Sequence, residues 1–354
     1  MKNAADVRRQ VRTYYGTELE TSGDLKTNAC CASEAPSPLV AAAIRNVHPD
    51  VQARFYGCGF PIPEALEDLR VLDLGCGSGR DVYVLAQLVG AKGRVYGVDM
   101  TSEQLAIARR TLPWHMDRFG YTVPNVDLHQ GYIEDLSMIE SGSLDAVVSN
   151  CVVNLSPDKP RVFSEVQRVL RPGGEFHLAD VVADRRLPPE VSRDPLLYGE
   201  CLGGALYEAD LSSLARRTGF LDPREQSRSG IVVQNDEIRR KVGCARFWSV
   251  TWRLFKLDGL DEQCEDYGQV ATYRGSIRGH EAAFRLDDHH LFDAGRPERV
   301  CGNTAAMLSE TRLAPHFEVI GDRSVHFGVF PCGPTLAAQS VRSVGSDDAG
   351  GSCC

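Results

Sequence analysis

Hydrophobic and polar positions between residues 67 and 230 follow a pattern that predicts strands alternating with amphipathic helices. The segment LRVLDLGCGSGRDVYVLAQLVG begins as an apolar strand, turns at glycines and continues as a helix with one apolar face. Four more strands are predicted by the apolar runs in RVYGVDM, VDLHQGYIED, LDAVVSNC and EFHLADVVAD. Helices are predicted between them in TSEQLAIARRTLPWHMDRFG and DKPRVFSEVQRVLRPGG. This alternation predicts an α/β fold, with helices on both faces of a mostly parallel sheet.

The pattern changes on both sides of this region. Residues 1–66 favour helices and loops, and a further helix, ALYEADLSSLARRTGF, is predicted to pack on the edge of the sheet. Aromatic-rich and polar stretches after about residue 235 predict a smaller α+β domain over residues 235–330. Residues 333–354 are small and polar, so we expect a flexible tail ending in Cys353 and Cys354.

Composition and charge limit the class of protein. A net charge of −9 argues against a nucleic-acid or anionic-membrane binder, which would need a basic surface. No apolar run is long enough to span a bilayer, and the N-terminus is amphipathic without the apolar core of a signal peptide. We therefore expect a cytoplasmic protein. Its 12 cysteines, with no C-x-x-C pair, should be mostly free thiols there and require an explanation.

The glycine turn VLDLGCGSG predicts a nucleotide site. Gly75, Gly77 and Gly79 lie between a strand and a helix, where backbone N–H groups can approach a ligand. A dinucleotide fingerprint needs G-x-G-x-x-G, but residue 80 is arginine, which weighs against a nicotinamide cofactor. The G-x-G-x-G form, with Asp73 two residues before it, resembles motif I of class I S-adenosylmethionine-dependent methyltransferases. A turn without a ligand is the remaining alternative.

Later segments favour S-adenosylmethionine. Asp99 ends the second predicted strand, where a carboxylate can accept hydrogen bonds from both ribose hydroxyls. GYIED, with Ile133 and Glu134, resembles the segment that flanks adenine in these methyltransferases, and VLRPGGEFHLADV resembles their Pro-Gly-Gly motif. The resemblance implies a Rossmann-like, mostly parallel seven-stranded sheet, with S-adenosylhomocysteine as the product.

Three cysteines follow or precede predicted strands at the cofactor edge of the sheet. Cys58 precedes the first strand, Cys151 follows the fourth and Cys201 follows the fifth, and their polar or glycine neighbours favour exposed thiols. Taken singly, a cysteine is more often a small core residue. Three converging thiolates, however, suit a thiophilic trivalent metalloid, whose lone pair could attack a sulfonium methyl group. The cysteines expected to be structural or incidental are Cys76, Cys244, Cys264, Cys301 and Cys332.

At this point the chain resembles the arsenite S-adenosylmethionine methyltransferases. The resemblance covers about residues 10–285 and is carried by YYGTELETSGDLKTNAC, RFYGCG, LDLGCGSGRD, GVDM, GYIED, SNCVVNL, LRPGGE and GECLGGAL. It implies that Cys58, Cys151 and Cys201 hold trivalent arsenic. It also implies a catalytic role for Cys30, which would form a disulfide with Cys58 during turnover, although the adjacent Cys31 could serve instead.

The same resemblance implies a set of cofactor-binding residues. Phe55 stands where the family frequently has a tyrosine, so any contact through that hydroxyl is missing. Asn150 is expected to form a wall of the same site. The complete expected set is Tyr14, Asp73, Gly75, Gly77, Gly79, Asp99, Met100, Ile133, Glu134 and Asn150.

The resemblance also implies the substrate and partners. Arsenite or its thiol conjugate would be converted to monomethyl and dimethyl species, and thioredoxin or glutathione would regenerate the thiols. We expect a monomer without a nucleic-acid or membrane partner. Two other functions remain open from the residues alone: a methyltransferase for an organic small molecule, and a thiol-rich protein that sequesters metalloids.

Overall fold

A computed structural model describes residues 4–27 and 35–332, and its main feature is a long mixed sheet. Seven strands lie in the order β3-β2-β1-β4-β5-β8-β7, and the short β6 pairs with the end of β5. The strands are β1 Arg70–Leu74, β2 Arg94–Asp99, β3 Val126–Gln130, β4 Leu144–Asn150, β5 Leu170–Ala183, β6 Leu206–Tyr207, β7 Arg224–Ile231 and β8 Phe247–Phe255.

The helices that precede or cover this sheet are mostly amphipathic. They are α1 Ala4–Thr13, α2 Pro38–Arg45, α3 Pro49–Gln52, α4 Arg80–Val89, α5 Ser102–Phe119, α6 Lys159–Val169, α7 Pro189–Ser192, α8 Pro195–Gly199, α9 Glu208–Arg217 and α10 Asp236–Val242. A π-helical turn, Tyr14–Glu18, directly continues α1. Proline or a capping side chain begins several of them; Asp158, for example, accepts a hydrogen bond from Arg161 N–H at the start of α6.

The first five strands are parallel, and β8 runs antiparallel between β5 and β7. This confirms the predicted mostly parallel seven-stranded α/β fold. Strand order reverses between β1 and β4, because β1 connects outward to β2 while β4 pairs on its other side. Ligands of such sheets bind outside the carboxyl ends of the strands at this reversal. The glycine turn after β1 and Cys151 after β4 therefore lie at the expected place.

The C-terminal region forms a separate layer of small sheets around its own apolar core. Strands β9 Val270–Tyr273, β12 Pro297–Arg299 and β13 Phe317–Ile320 form one sheet in the order β12-β9-β13. Strands β10 Ala283–Arg285 and β11 Leu291–Asp293 form a hairpin, and helix α11 Gly302–Ser309 packs beside them. Because β8 belongs to the main sheet, that sheet extends well into the segment predicted as the α+β domain.

Buried ion pairs join the two layers. Glu175 on β5 is fully buried and accepts a hydrogen bond from Arg253 Nε on β8 at 2.8 Å. Arg312 from the C-terminal region also pairs with Glu175. The two guanidinium groups hold the pKa of the Glu175 carboxyl well below its usual range, against the opposing effect of burial. Within the described ranges, no helix is both long enough and apolar enough to cross a membrane.

Candidate active site

The glycine turn leaves open space directly above the end of β1. Gly75 and Gly77 have φ values of 65° and 52°, a region that glycine adopts without strain. A Cβ at Gly75 would lie 2.3 Å from Val152 Cγ2, whereas a Cβ at Gly77 would meet nothing within 4 Å. Gly75 therefore allows the close packing of β1 against the loop after β4, and Gly77 leaves room for a ligand.

Asp99 is fixed by backbone donors on both sides. Its Oδ2 accepts a hydrogen bond from Gly77 N–H at 2.9 Å, and its Oδ1 accepts one from Thr101 N–H at 2.7 Å. Burial raises the pKa of Asp99, and these two hydrogen bonds oppose that rise. Each carboxylate oxygen keeps a further lone pair, so the side chain can accept two hydroxyl groups from a ribose.

One cavity contains most of the predicted cofactor residues. Tyr15 and Gln104 also line it, and Cys151 lies on its wall. Tyr14 and Gly79 are not among the lining residues, so their assignment to the cofactor stays a prediction. The predicted residues that do line the cavity are Asp73, Gly75, Gly77, Asp99, Met100, Ile133, Glu134 and Asn150.

The two adjacent tyrosines after α1 have different environments. The Tyr14 hydroxyl donates a hydrogen bond to Glu200 Oε1 at 2.5 Å. The Tyr15 hydroxyl donates to Gly199 O at 2.7 Å and lies 3.8 Å from Cys201 Sγ. Tyr15, which the sequence did not single out, thus connects the cofactor cavity with a predicted arsenic ligand. The π-helical turn changes the spacing of side chains around the helix, and this sets which of the two tyrosines faces the cavity. The period of a standard α-helix, used to analyse the sequence, does not predict that choice.

A buried charge cluster forms the floor of the cavity. Arg80 pairs with Asp81 at 2.6 Å, and its guanidinium lies 3.1 Å from the centre of the Phe55 ring. Asp73 carries a pKa well above its usual range, because it is buried and faces the negative charges of Asp81 and Asp99. Phe55, the departure from the family pattern, therefore lines the cavity and packs its ring face on Arg80.

The three predicted arsenic ligands lie together and are all buried. Cys58 and Cys151 form a disulfide with a Cα–Cα distance of 5.8 Å. The Cys201 thiol is free and donates a hydrogen bond to Cys151 O at 3.3 Å. Their exposed fractions are 2%, 3% and 0%, so the expectation of exposed thiols was wrong. The polar flanking residues bond to neighbouring loops and do not bring the sulfurs to the surface.

Two of these cysteines have a strained backbone. Cys151 and Cys201 have φ values of 58° and 61°, and they are two of the four non-glycine residues with positive φ among those described. The left-handed conformation costs roughly 1–2 kcal/mol for a residue with a Cβ. Such strain is found where function requires a side chain in a fixed position. In this structure it directs the Cys201 thiol toward the loop that carries Cys151.

Asn150 holds the Cys58 loop against the end of β4. Its Oδ1 accepts hydrogen bonds from Cys58 N–H at 2.9 Å and Gly59 N–H at 3.2 Å. Its Nδ2 donates to Gly59 O and to Asp81 Oδ2, both at 2.9 Å. A single amide therefore sets the distance between one sulfur and the charge cluster under the cofactor cavity.

Replacing Asn150 by alanine should weaken arsenic binding more than cofactor binding. The change leaves two N–H donors without their acceptor, which costs about 1–3 kcal/mol of folding free energy and loosens the Cys58 loop. Arsenite and S-adenosylmethionine affinities, measured by calorimetry on the reduced protein, test this. Asn46→Ala is the matched control: Asn46 bonds to Gln87 on α4 and does not line the cofactor cavity, so this change should leave both affinities unchanged. Equal losses of both affinities in Asn150→Ala would contradict the assigned role.

Near Cys201, the half-buried Lys159 lies close to the buried carboxylate of Asp180. The Lys159 ammonium donates to Asn154 O and Ser156 O, each at 3.1 Å. Burial lowers the pKa of Lys159 to about 8, against the attraction of Asp180, Cys201 and Glu134. Burial also raises the pKa of Asp180 to about 6, although hydrogen bonds from Val181 and Asn154 N–H oppose this. Between these two pH values both groups are charged and attract each other.

The raised pKa of Asp180 predicts how folding stability changes with pH. A carboxyl that binds its proton more tightly when folded adds stability below its unfolded pKa of 3.8, and this is lost as pH rises through about 6. The difference in unfolding free energy between wild type and Asp180→Asn should therefore fall by up to about 3 kcal/mol from pH 4 to pH 7. Urea unfolding across that range measures it. A difference that stays constant with pH would contradict the raised pKa.

Glu200, next to Cys201, anchors the N-terminal segment. Its carboxylate accepts hydrogen bonds from Lys26 N–H and Thr27 N–H at 2.8 Å, in addition to the Tyr14 hydroxyl. The segment that leads toward the predicted redox cysteines is thus tied to the loop that carries a predicted arsenic ligand. Cys30, Cys31, Cys353 and Cys354 themselves lie outside the described residues.

Family models match two parts of the chain. A methyltransferase domain matches residues 66–219, which contain the glycine turn and Cys151. An arsenite methyltransferase C-terminal domain matches residues 266–328. The second match covers the region of small sheets.

Relatives with high identity cover nearly the whole chain. An arsenite methyltransferase of Aquipseudomonas alcaligenes is 54% identical over 97% of this chain and 99% of its own length. A human arsenite methyltransferase is 42% identical over 99% of this chain and 97% of its own length. The crystal structure of CrArsM, an arsenic(III) S-adenosylmethionine methyltransferase from Chlamydomonas reinhardtii, is 54% identical with a TM-score of 0.81. It covers 84% of this chain and 100% of the solved chain.

Proposed function

The chain belongs to the arsenite methyltransferase family, and we propose that Cys58, Cys151 and Cys201 hold the arsenic that it methylates. The activity is the transfer of methyl groups from S-adenosylmethionine to trivalent arsenic. The observation that carries the assignment of the ligands is the shared wall of the cavity: Cys151 lines the same space as Asp99, and Cys201 bonds to Cys151.

The residues of the cavity fit S-adenosylmethionine, which supplies an electrophilic methyl group on a sulfonium centre. Asp99 would accept the ribose hydroxyls, and the open space over Gly77 would allow backbone N–H groups to approach the ligand. Ile133 lies on the wall as an apolar surface for a purine. Glu134, which accepts a hydrogen bond from Ser156 Oγ at 2.7 Å, is held in position beside it.

Arsenic binding requires the disulfide between Cys58 and Cys151 to be reduced, because only thiolates are ligands for the metalloid. Two electrons and two protons from a thiol reductant, such as thioredoxin or glutathione, would give two thiols. Arsenite then exchanges its three oxygens for the sulfurs of Cys58, Cys151 and Cys201, and three waters leave. Arsenic stays trivalent in this exchange and keeps a lone pair opposite the three sulfurs.

Methyl transfer uses that lone pair as the nucleophile. The arsenic–carbon bond forms as the carbon–sulfur bond of the donor breaks, and S-adenosylhomocysteine leaves with the bond's electron pair. The arsenic is now formally pentavalent, so two electrons must return it to the trivalent state. We propose that the Cys30 thiol attacks the arsenic-bound sulfur of Cys58: the As–S bond breaks with its electron pair left on arsenic, a Cys30–Cys58 disulfide forms and one proton is released. The methylated arsenic stays on Cys151 and Cys201, and the external reductant then restores the two thiols.

The arsenic lone pair is the nucleophile, so no general base is needed at the reacting atom. The protein's contribution is therefore to hold the three sulfurs together, with Cys151 on the wall of the cofactor cavity and Cys58 and Cys201 in contact with Cys151.

The decisive experiment follows methyl groups onto arsenic. The reduced protein is incubated with arsenite, thiol and S-adenosylmethionine labelled in the methyl group, and the arsenic species are separated by chromatography. Labelled monomethyl and dimethyl arsenic are expected. Arsenite binding without consumption of the donor would favour a sequestering protein, and label on an organic acceptor would favour the other methyltransferase function.

We further propose a cytoplasmic monomer. The need to reduce the Cys58–Cys151 pair and the free thiols of Cys76, Cys201 and Cys301 suit a reducing compartment. The net charge of −9 supports the absence of a nucleic-acid partner. Sedimentation of the reduced protein tests the oligomeric state, and a stable dimer would contradict it.

A further inference from the structure

Three cysteines from distant parts of the sequence meet in the C-terminal region. The sulfur atoms of Cys264, Cys301 and Cys332 all lie within 4.8 Å of one another, and all three are free thiols. Cys301 is buried, Cys264 is half-buried and Cys332 is exposed. The cluster is therefore closed on the side of the protein core and accessible from solvent on the other. None of the three lines the cofactor cavity.

Backbone hydrogen bonds bring the three cysteines together. Phe330 N–H donates to Cys264 O at 2.7 Å, as part of an antiparallel bridge that pairs Glu265 with Val329. Gly302 N–H donates to Glu265 O at 2.9 Å, which ties the start of α11 to the same segment. Three separate pieces of chain thus converge through main-chain contacts, so the proximity of the sulfurs does not depend on the rotamer of one surface side chain.

Polar groups surround the sulfur of Cys301. It is the N-cap of α11 and accepts a hydrogen bond from Thr304 N–H at 3.5 Å, and the Thr304 hydroxyl lies 3.3 Å from its sulfur. Arg224 Nη2 lies 4.0 Å away. The Cys301 sulfur is thus held between the start of α11, Arg224 and the other two cysteines.

We propose that Cys264, Cys301 and Cys332 form a second three-sulfur site, which binds one trivalent arsenic outside the cofactor cavity. The choice of ligand rests on the proposed function. In the binding step three S–H and three As–O bonds break, three As–S bonds form and three waters leave. Nothing is oxidised or reduced. The product is a neutral complex with arsenic at the apex of three sulfurs.

The donor set favours arsenic over zinc. A structural zinc site has four ligands, and this cluster, as far as the described residues go, contains three cysteines without a histidine or carboxylate. Trivalent arsenic needs three sulfurs only and keeps its lone pair on the fourth side. Arg224 does not oppose binding, because Asp222 at 2.7 Å and Asp287 at 2.9 Å already balance its charge. Since the cluster is outside the cofactor cavity, arsenic bound there is held without being methylated.

The test counts arsenic atoms per chain in full-length protein. Cys30, Cys31, Cys353 and Cys354 are replaced by serine in every sample, so that adjacent thiol pairs do not contribute. After reduction, arsenite and gel filtration, we expect two arsenic atoms per chain, each with three sulfur neighbours in X-ray absorption spectra. Cys301→Ser and Cys201→Ser should each leave one bound arsenic atom per chain. The double variant should bind arsenite at least tenfold more weakly at both sites.

Cys301→Ser is chosen because serine is a favourable N-cap, so α11 and the fold should be retained. Circular dichroism and the unchanged arsenic site in this variant control for folding. One bound arsenic atom per chain in the protein that keeps Cys301, with the same number in Cys301→Ser, would overturn the inference. A site that binds zinc but not arsenite would also overturn it. Labelled methylarsenic is measured in parallel on chains that keep Cys30 and Cys31, with and without Cys301→Ser, because the proposed turnover needs one of those two thiols. Methylation with a single bound arsenic refutes the second site alone, whereas failure of methylation refutes the proposed function.

Discussion

Replacing Cys201 by serine should lower the rate of arsenite methylation by at least about 100-fold, which corresponds to about 2.7 kcal/mol of transition-state stabilisation. Serine offers an oxygen where trivalent arsenic requires a soft sulfur ligand. Cys201 is the most informative of the three positions, because its thiol is free and fully buried. A serine hydroxyl can keep the hydrogen bond to Cys151 O, which is now 3.3 Å long. The variant should therefore fold normally.

Two measurements separate chemistry from structure in this variant. Transfer of labelled methyl groups to arsenic should be lost, while S-adenosylmethionine affinity by calorimetry should match the wild type. A chain with serine at Cys353 and Cys354 is the matched control for removing thiols, and it should keep its rate. A Cys201→Ser protein that methylates arsenite at the wild-type rate would remove Cys201 from the ligand set. Loss of cofactor binding as well would indicate a structural role.

Replacing Asp99 by alanine should reduce S-adenosylmethionine affinity by about 100-fold, because two charge-assisted hydrogen bonds to the cofactor would be lost. The change also leaves Gly77 N–H and Thr101 N–H without an acceptor, so the turn itself becomes less ordered. Arsenite binding to the reduced protein should persist, since none of the sulfur ligands contacts Asp99. Calorimetric titration with each ligand measures both effects.

Asp127→Ala provides the control for Asp99. Asp127 lies on the neighbouring strand β3 and pairs with Arg94 at 2.6 Å on the protein surface. Its removal should leave cofactor affinity within about twofold, since an exposed ion pair contributes at most about 1 kcal/mol to stability. An Asp99→Ala protein with unchanged affinity would show that the cofactor binds elsewhere.

The parallel sheet and the cofactor turn could be predicted because their signals are local. The apolar run of β1 and the spacing of Gly75, Gly77 and Gly79 fall within ten residues of each other. Asp99 could be placed for the same reason, since it ends a strand that pairs directly with β1. The period of the hydrophobic residues and the residue types in the turns specify such features without knowledge of the rest of the chain.

Features that depend on distant contacts could not be predicted. Strand β8 reads as part of an irregular aromatic segment, and only its pairing with β5 on one side and β7 on the other explains its apolar character. The grouping of Cys264, Cys301 and Cys332 likewise depends on the bridge between Glu265 and Val329. Taken one at a time, these cysteines look like core residues, and their sequence spacing carries no signal that they meet.

The burial of the predicted arsenic ligands shows a different limit of prediction from the sequence. The sequence indicated which cysteines belong together, but the polar neighbours Asn150 and Glu200 suggested exposure. In the structure both side chains point into loop backbone, where they satisfy N–H groups of Cys58, Gly59, Lys26 and Thr27. Polar residues beside a buried site serve as hydrogen-bond partners for its loops, and sequence alone does not distinguish this from solvation.

The left-handed backbone at Cys151 and Cys201 has a consequence for protein engineering. At both positions the backbone conformation alone favours glycine by roughly 1–2 kcal/mol. Selection for thermal tolerance alone does not reward the sulfur of Cys201, which forms no disulfide, and its replacement would produce a folded but inactive catalyst. A screen for use in contaminated water should apply heat and arsenic together, so that both cysteines remain under selection.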